Sequence, residues 1–188
     1  MKQSTSPQVK YSLDNLSEAL FNIMKNDSYQ EITITQICQY AQITRTTFYR
    51  NCNDKSDLID YAITQKVIHL LENVPWTTSS PIDMYSNFFA YWYSHKNFLT
   101  VLKRQGLFPR FYSIFTDICF KNLELEKHNP LLKTASLEDH MRLFRASFLI
   151  GGLCNMIEQW CENDFEAPIA TLVEILNERN PNITKESM

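Results

Sequence analysis

Glycine is scarce in this chain: three residues, at 106, 151 and 152, beside seven prolines and 44% hydrophobic residues. So few breakers argue against a loop-rich protein and for helices joined by short connections. No apolar run approaches the length of a membrane span, and no secretory pattern opens the chain, so a soluble, cytoplasmic protein without a membrane partner is expected. The five cysteines (38, 52, 119, 154, 161) are odd in number and scattered, with no C-x-x-C. That favours reduced, mostly buried thiols over disulfides or zinc. Three glycosylation sequons, at Asn15, Asn26 and Asn182, are read as chance for want of a secretion signal.

Signatures of catalysis are missing too. The four histidines (69, 95, 128, 140) are dispersed, and none follows a Glu by three positions, as a helical di-metal site would need. There is no H-E-x-x-H, no G-x-S-x-G and no glycine-rich phosphate loop. Glu138, Asp139 and His140 open a helix, where acidic residues favour the helix dipole. No catalytic residue, metal or cofactor is expected. Excess positive charge is also lacking, since the net charge is −3. Residues 1–66 carry seven Lys/Arg and seven Asp/Glu, and the remainder holds the whole deficit. Any DNA binding would need cations focused on one face, with Lys10, Arg45, Arg50 and Lys55 as candidates.

What the sequence does contain is a tight run of helical signals at 32–58, within 188 residues, a length suited to one or two small helical domains. Thr33 is an N-cap with Gln36 three residues on, the capping-box spacing. Ile34, Ile37, Cys38 and Ala41 recur at helical spacing over 34–41. Gln42 and Ile43 make a tight connection. Thr44 caps a short helix, 45–50, and Asp54 caps a third from Lys55 onward. Two helices joined by a tight turn form a helix-turn-helix, whose second helix can enter the DNA major groove. In that second helix Phe48 is the one clear candidate for burial. Arg45, Thr46, Thr47, Tyr49 and Arg50 stay outside and carry donors suited to phosphates and base edges. A plain surface turn would carry the same pattern, and spacing alone does not separate the two.

The stretch resembles the DNA-binding domain of the TetR family of one-component transcriptional repressors. Thr33, Ile37, Ala41 and Ile43 match, as do Thr44-Arg45-Thr46-Thr47-Phe48-Tyr49, Lys55 and Leu58. The match covers about the first third of the chain. Two positions depart from it: the family usually has Gly where Gln42 stands and an aromatic where Cys52 stands. The first requires a turn made without glycine, and the second implies looser packing between the helices. The resemblance implies DNA contacts at Thr33, Thr44, Arg45, Thr46, Thr47, Tyr49, Arg50 and Lys55. Arg45 and Thr46 would read bases, and Thr33, Tyr49 and Lys55 would hold phosphates.

Around this motif the pattern predicts further helices. Residues 1–10 read as a polar arm in which Lys2 and Lys10 could reach a DNA backbone, and Ser12 caps a helix to about residue 25. The helix from Lys55 to about 72 has an apolar stripe longer than a small domain can bury, as expected of a strut. Residues 73–81 are the clearest linker. Helices follow at 82–95, 97–105 and 109–128, then a loop at 128–136 and helices at 137–163 and 169–179, before a polar tail. The region 85–120 is dense in aromatics, read as core rings of which some line a cavity. The expected lining is Phe88, Trp92, Phe111, Phe115, Phe148 and Cys154. The helix 137–163 is apolar nearly all round from Ala146 to Trp160, with Gly151 and Gly152 at its middle. A plain buried core helix kinked at the glycines would read the same way. A partner chain is the natural cover for its second face, and the resemblance implies a four-helix dimer interface there. The expected interface is Phe148, Gly151, Gly152, Met156, Trp160, Ile169, Leu172 and Leu176.

The reading is therefore an all-α chain with a three-helix, helix-turn-helix DNA-binding domain at 1–55. A larger helical ligand-binding and dimerisation domain follows at 56–188. Its expected function is that of a homodimeric transcriptional repressor, released from a double-stranded DNA operator by a small apolar or aromatic effector. Two alternatives stand beside it. One is a helical regulator subunit that acts through a protein partner without DNA binding, favoured by the near-neutral N-terminal part and by Gln42. The other is a small helical enzyme, favoured only by the ring-rich region.

Overall fold

Proline 7 opens the first helix. It sits at a position where a missing N–H costs nothing and its fixed φ is already helical. The fold is described from a computed structural model covering residues 6–74, 80–121 and 139–178. Lys2, most of the linker 73–81, the loop 128–136, Glu138 and the tail after 180 lie outside the described residues. So does the end of the helix expected to reach 128. Every regular element among the described residues is an α-helix, as expected. They are α1 (Pro7–Ile23), α2 (Ile34–Tyr40), α3 (Arg45–Asn51), α4 (Ser56–Asn73), α5 (Pro81–Ser94), α6 (Lys96–Arg104), α7 (Phe108–Lys121), α8 (Asp139–Glu162) and α9 (Ile169–Glu178).

The chain forms two compact units: Met1–Lys66 with Val101–Ile114, and Val67–Thr100 with Phe115–Met188. The boundary falls inside α4, α6 and α7. The first unit thus extends past the 55/56 division expected from the motif and takes in a distant segment.

In the first unit, α1 packs on α2 and α3. Leu13, Leu16, Leu20 and Met24 are buried along its inner side. The helix begins five residues before the expected cap at Ser12. Ser12 lies inside it, its hydroxyl donating to the Gln8 carbonyl at 2.9 Å, and residues 7–10 are helical rather than part of an arm. The expected capping box at α2 is present: Gln36 N–H donates to Thr33 Oγ1 at 3.2 Å, and Thr33 N–H to Gln36 Oε1 at 2.8 Å. Thr44 caps α3 through Thr47 N–H at 3.2 Å. Asp54 Oδ1 accepts Ser56 N–H at 2.6 Å, starting α4. Across the unit, the Tyr61 hydroxyl donates to Asp14 at 2.6 Å, and Arg110 of α7 makes a two-pronged ion pair with Asp60 of α4.

In the second unit, α5 packs on α9 and buries Met84, Tyr85, Phe88, Phe89 and Trp92. Phe89 meets the Trp160 ring edge-on at 5.7 Å, and Tyr93 stacks on it at 5.6 Å. The indole N–H of Trp160 donates to the Ala167 carbonyl at 2.9 Å. The C-terminal part of α8 is therefore held against α5 by these ring contacts.

The turn between α2 and α3 is a left-handed helix end. Ile43 N–H bonds back to the Cys38 carbonyl at 2.9 Å and Gln42 N–H to Gln39 at 3.2 Å, with Gln42 at φ 55°. This pairing ordinarily places glycine at the position Gln42 holds. Gly106 occupies the equivalent place after α6, at φ 67°, with the same two bonds from Leu107 and Gly106. A side chain in that conformation costs roughly 1–2 kcal/mol. Replacing Gln42 by Gly should therefore raise unfolding stability by about 1 kcal/mol after allowing for the entropy glycine adds to the unfolded chain. Urea unfolding of the two proteins measures this, and an unchanged midpoint would show the turn unstrained.

Candidate nucleic-acid interface and helix surfaces

The seven residues of α3 are positioned by two inward side chains. Phe48 is fully buried, and Asn51, also buried, donates its amide to the Thr47 carbonyl at 3.0 Å. With those two facing in, Thr44, Arg45, Thr46, Tyr49 and Arg50 are exposed and Thr47 is half-exposed. The Arg45 guanidinium lies over the Tyr49 ring, 5.8 Å from its centroid. Tyr49 in turn meets Phe48 edge-on at 5.3 Å. A cation at position i and a ring at i+4 share one side of a helix, so Arg45 is held along the outer surface with its donors facing water. Thr33 is exposed at the N-terminus of α2, its hydroxyl engaged in the capping box.

Lys55 has a different occupation from the one expected. Its ammonium donates to the carbonyls of Tyr29 at 2.6 Å, Gln30 at 3.1 Å and Ile32 at 2.7 Å, and lies 4.7 Å from the Tyr29 ring centroid. All three donors of an ammonium are thereby committed to the turn between α1 and α2. Burial pushes its pKa below the usual lysine value, opposed by Asp54. Lys55 is a clamp on backbone oxygens rather than an exposed phosphate ligand. No local sequence signal carries this, because the oxygens come from more than twenty positions earlier.

The cysteines are all free. Cys38 and Cys52 are buried beside α2 and α3, and burial raises both thiols, Cys52 to about 12. Raised in this way, both thiols stay protonated near neutral pH. Cys52 is itself buried, at the position where the family usually has an aromatic.

Of the six residues expected to line a cavity, three meet. Phe115 contacts Phe88 at 6.3 Å and Trp92 at 6.2 Å, all buried. Cys154 is buried in the same unit, its thiol raised by burial and then by Cys119 and Glu158. Phe111, though buried, belongs to the first unit. Phe148 is 81% exposed, so it lines no interior of this chain.

The surface of α8 also differs from the expected list. Trp160 and Leu172 are buried within their own unit and are not free to meet a partner. Met156, Ile169 and Leu176 are half-exposed and Gly151 partly so. Among the described residues, the large apolar side chains facing outward here are Phe144, 71% exposed, and Phe148, with exposed Gly152 continuing their four-residue spacing, and Ile175 on α9 at 45%. A Cβ built on Gly152 meets nothing within 4 Å, so the glycine is not required by packing inside the chain. Phe144 was missed because so many positions of α8 are apolar that periodicity cannot choose a face on it.

Lys55→Met should destabilise the protein by about 2 kcal/mol, as expected when a charged donor to carbonyls is lost. Thermal and urea unfolding without DNA would read it. A loss confined to DNA affinity, with stability unchanged, would restore the phosphate role.

Comparison with known proteins bears on the second unit first. Residues 79–179, more than half of the chain, match the family model for the TetR-type transcriptional regulator C-terminal region. No curated protein matches the chain. Among solved structures, Lin0861 from Listeria innocua is similar with a TM-score of 0.71 at 12% identity, over 98% of this chain and 97% of that one. The dihydroxyacetone kinase operon activator DhaS is similar with a TM-score of 0.58 at 15% identity, over 92% and 96%. Identities this low speak for a common fold. None of the described helices is long and apolar enough to cross a membrane. With the all-helical architecture and the matched region together, the chain belongs to the TetR-like family of transcriptional regulators.

Proposed function

We propose that this regulator is a cytoplasmic homodimer that binds double-stranded DNA through α3 and represses transcription until a small apolar or aromatic effector releases it. The observation that carries the DNA-binding reading is the outward row Thr44, Arg45, Thr46, Tyr49 and Arg50 on a helix anchored by Phe48. Such a row suits a major groove, with Arg45 and Thr46 on base edges and Tyr49, Arg50, Thr47 and the N-terminus at Thr33 on phosphates. Two copies of α3 would meet successive grooves roughly 34–36 Å apart. The dimer reading rests on Phe144 and Phe148: adjacent exposed phenylalanines on a four-residue spacing are an expensive surface for a monomer. The effector site is assigned to the ring-rich interior around Phe88, Trp92 and Phe115.

DhaS, of similar fold, is an operon activator. Activation is accordingly the second reading of the sign, and a fall in target transcript on deleting this regulator would select it. A gel shift with the DNA upstream of its own coding sequence tests binding itself; no shift at micromolar protein would favour the partner-only regulator. Arg45→Ala should lose about 1–3 kcal/mol of affinity at one or two base pairs only, read by competition with single-base operator variants. Uniform weakening across sequences would instead make Arg45 a backbone contact. Phe148→Ser should shift the protein from dimer to monomer in light scattering at micromolar concentration, since a buried phenylalanine in each subunit would be lost. A wild type that already runs as a monomer would remove the dimer from the proposal. A binding effector should stabilise the protein by about 2.7 kcal/mol at a hundredfold excess over its dissociation constant, and weaken DNA binding reciprocally. A thermal-shift screen of hydrophobic and aromatic compounds, followed by gel shift of the hits, reads both. Compounds that stabilise without weakening DNA binding would argue against induction.

A further inference from the structure

The turn joining α1 to α2 is held by a segment some eighty positions away. Gln105, just past the end of α6, donates its side-chain amide to the carbonyls of Met24 at 2.8 Å and Asp27 at 2.9 Å. The same carboxamide accepts Tyr29 N–H at 2.9 Å. Arg104 donates beside it to the Met24 carbonyl at 3.0 Å and also to the Lys25 carbonyl. A carboxamide suits the place because one flat group both donates and accepts; an isosteric carboxylate would only accept, against two carbonyl oxygens. Met24 ends α1 with its side chain fully buried, and Tyr29 lies four residues before Thr33, which opens α2. From the other side, Lys55 takes the next carbonyls along, at Tyr29, Gln30 and Ile32. The turn is therefore gripped at its beginning by α6 and at its end by Lys55.

We infer that Gln105 and Arg104 are positioning residues for DNA binding, which hold the α1–α2 turn so that the N-terminus of α2 and the α3 behind it are presented in one fixed register. This rests on the DNA-binding reading above. A grip on the turn sets the placement of α2 and α3 together and changes no base-reading side chain, so its loss weakens all DNA sequences alike.

The test uses the full-length protein with Gln105→Met, which keeps the length and removes donor and acceptor. Arg104→Met and the conservative Arg104→Lys accompany it. Amide hydrogen exchange at Tyr29 reads the grip itself. Operator affinity is measured well below the melting temperature, where circular dichroism shows each variant folded, so that lost stability alone cannot lower it. Gln105→Met should speed Tyr29 exchange and weaken operator and unrelated DNA together by about tenfold, the scale of one or two hydrogen bonds. Arg104→Met should weaken DNA in the same way, and Arg104→Lys should restore most of it. Faster exchange with unchanged DNA affinity would overturn the inference and leave the contacts purely structural. Unchanged exchange at Tyr29 would overturn it as well. If Gln105→Met fails to fold, the Arg104 pair decides. A wild type that binds no DNA would overturn the proposed function and this inference together, whereas the preceding outcomes overturn the inference alone.

Discussion

Burial of Phe48 is the contact on which the candidate DNA-reading surface depends. A helix of seven residues is far too short to persist by its own hydrogen bonds, since isolated helices below about 12–15 residues are marginal in water. What keeps α3 helical is the Thr44 cap at one end, the Asn51 bond to its own preceding turn, and a phenylalanine sunk beneath it. Once that ring is inside, the 3.6-residue repeat leaves little choice about which side chains face out. Arg45 and Tyr49 then lie one turn apart and support each other. The chemistry of the outer face is thus a by-product of one inward anchor on the helix that α1 and α2 pack against.

Local signals were legible in the sequence where local physics decides. The Thr33–Gln36 box, the Thr44 cap and the buried Phe48 all follow from spacings of three or four residues, and all are found. The start of α1 was misplaced because Ser12 has the chemistry of a cap, yet Pro7 is also a starting signal, and the earlier one prevailed. Lys55 was legible only as a cation in a motif. Its three carbonyl partners become neighbours through the folding of α1, α2 and α4, which no spacing encodes. Gln105 was invisible for the same reason.

The second unit shows a different limit. Aromatic density along 85–120 correctly marked an interior of rings, but density says nothing about which rings share one interior. Phe111 falls in the first unit while Phe115, one turn later on α7, falls in the second. On α8 the sequence offered more apolar residues than either face required, so Trp160 was assigned outward although it is packed between Phe89, Tyr93 and Phe165. Identity of a residue type decides burial poorly when nearly every position is apolar; the neighbours it meets decide it. The family match over 79–179 is compatible with such looseness, because a packed helical interior tolerates exchange of its rings provided volume is kept.

The interrupted make-up of the first unit has a consequence for how the protein is made. Residues 1–66 emerge from the ribosome first, but the segment that completes their unit, Val101–Ile114, follows only after 34 residues that belong to the other. Domains generally form in order of synthesis. Here the N-terminal helices must wait, with the α1–α2 turn still missing Arg104 and Gln105, until the first part of the second unit, Val67–Thr100, has also been synthesised. Grafting residues 1–66 onto another regulator would reproduce that unfinished state permanently, so a chimera that is to keep this DNA-reading end would have to carry the α6–α7 corner with it.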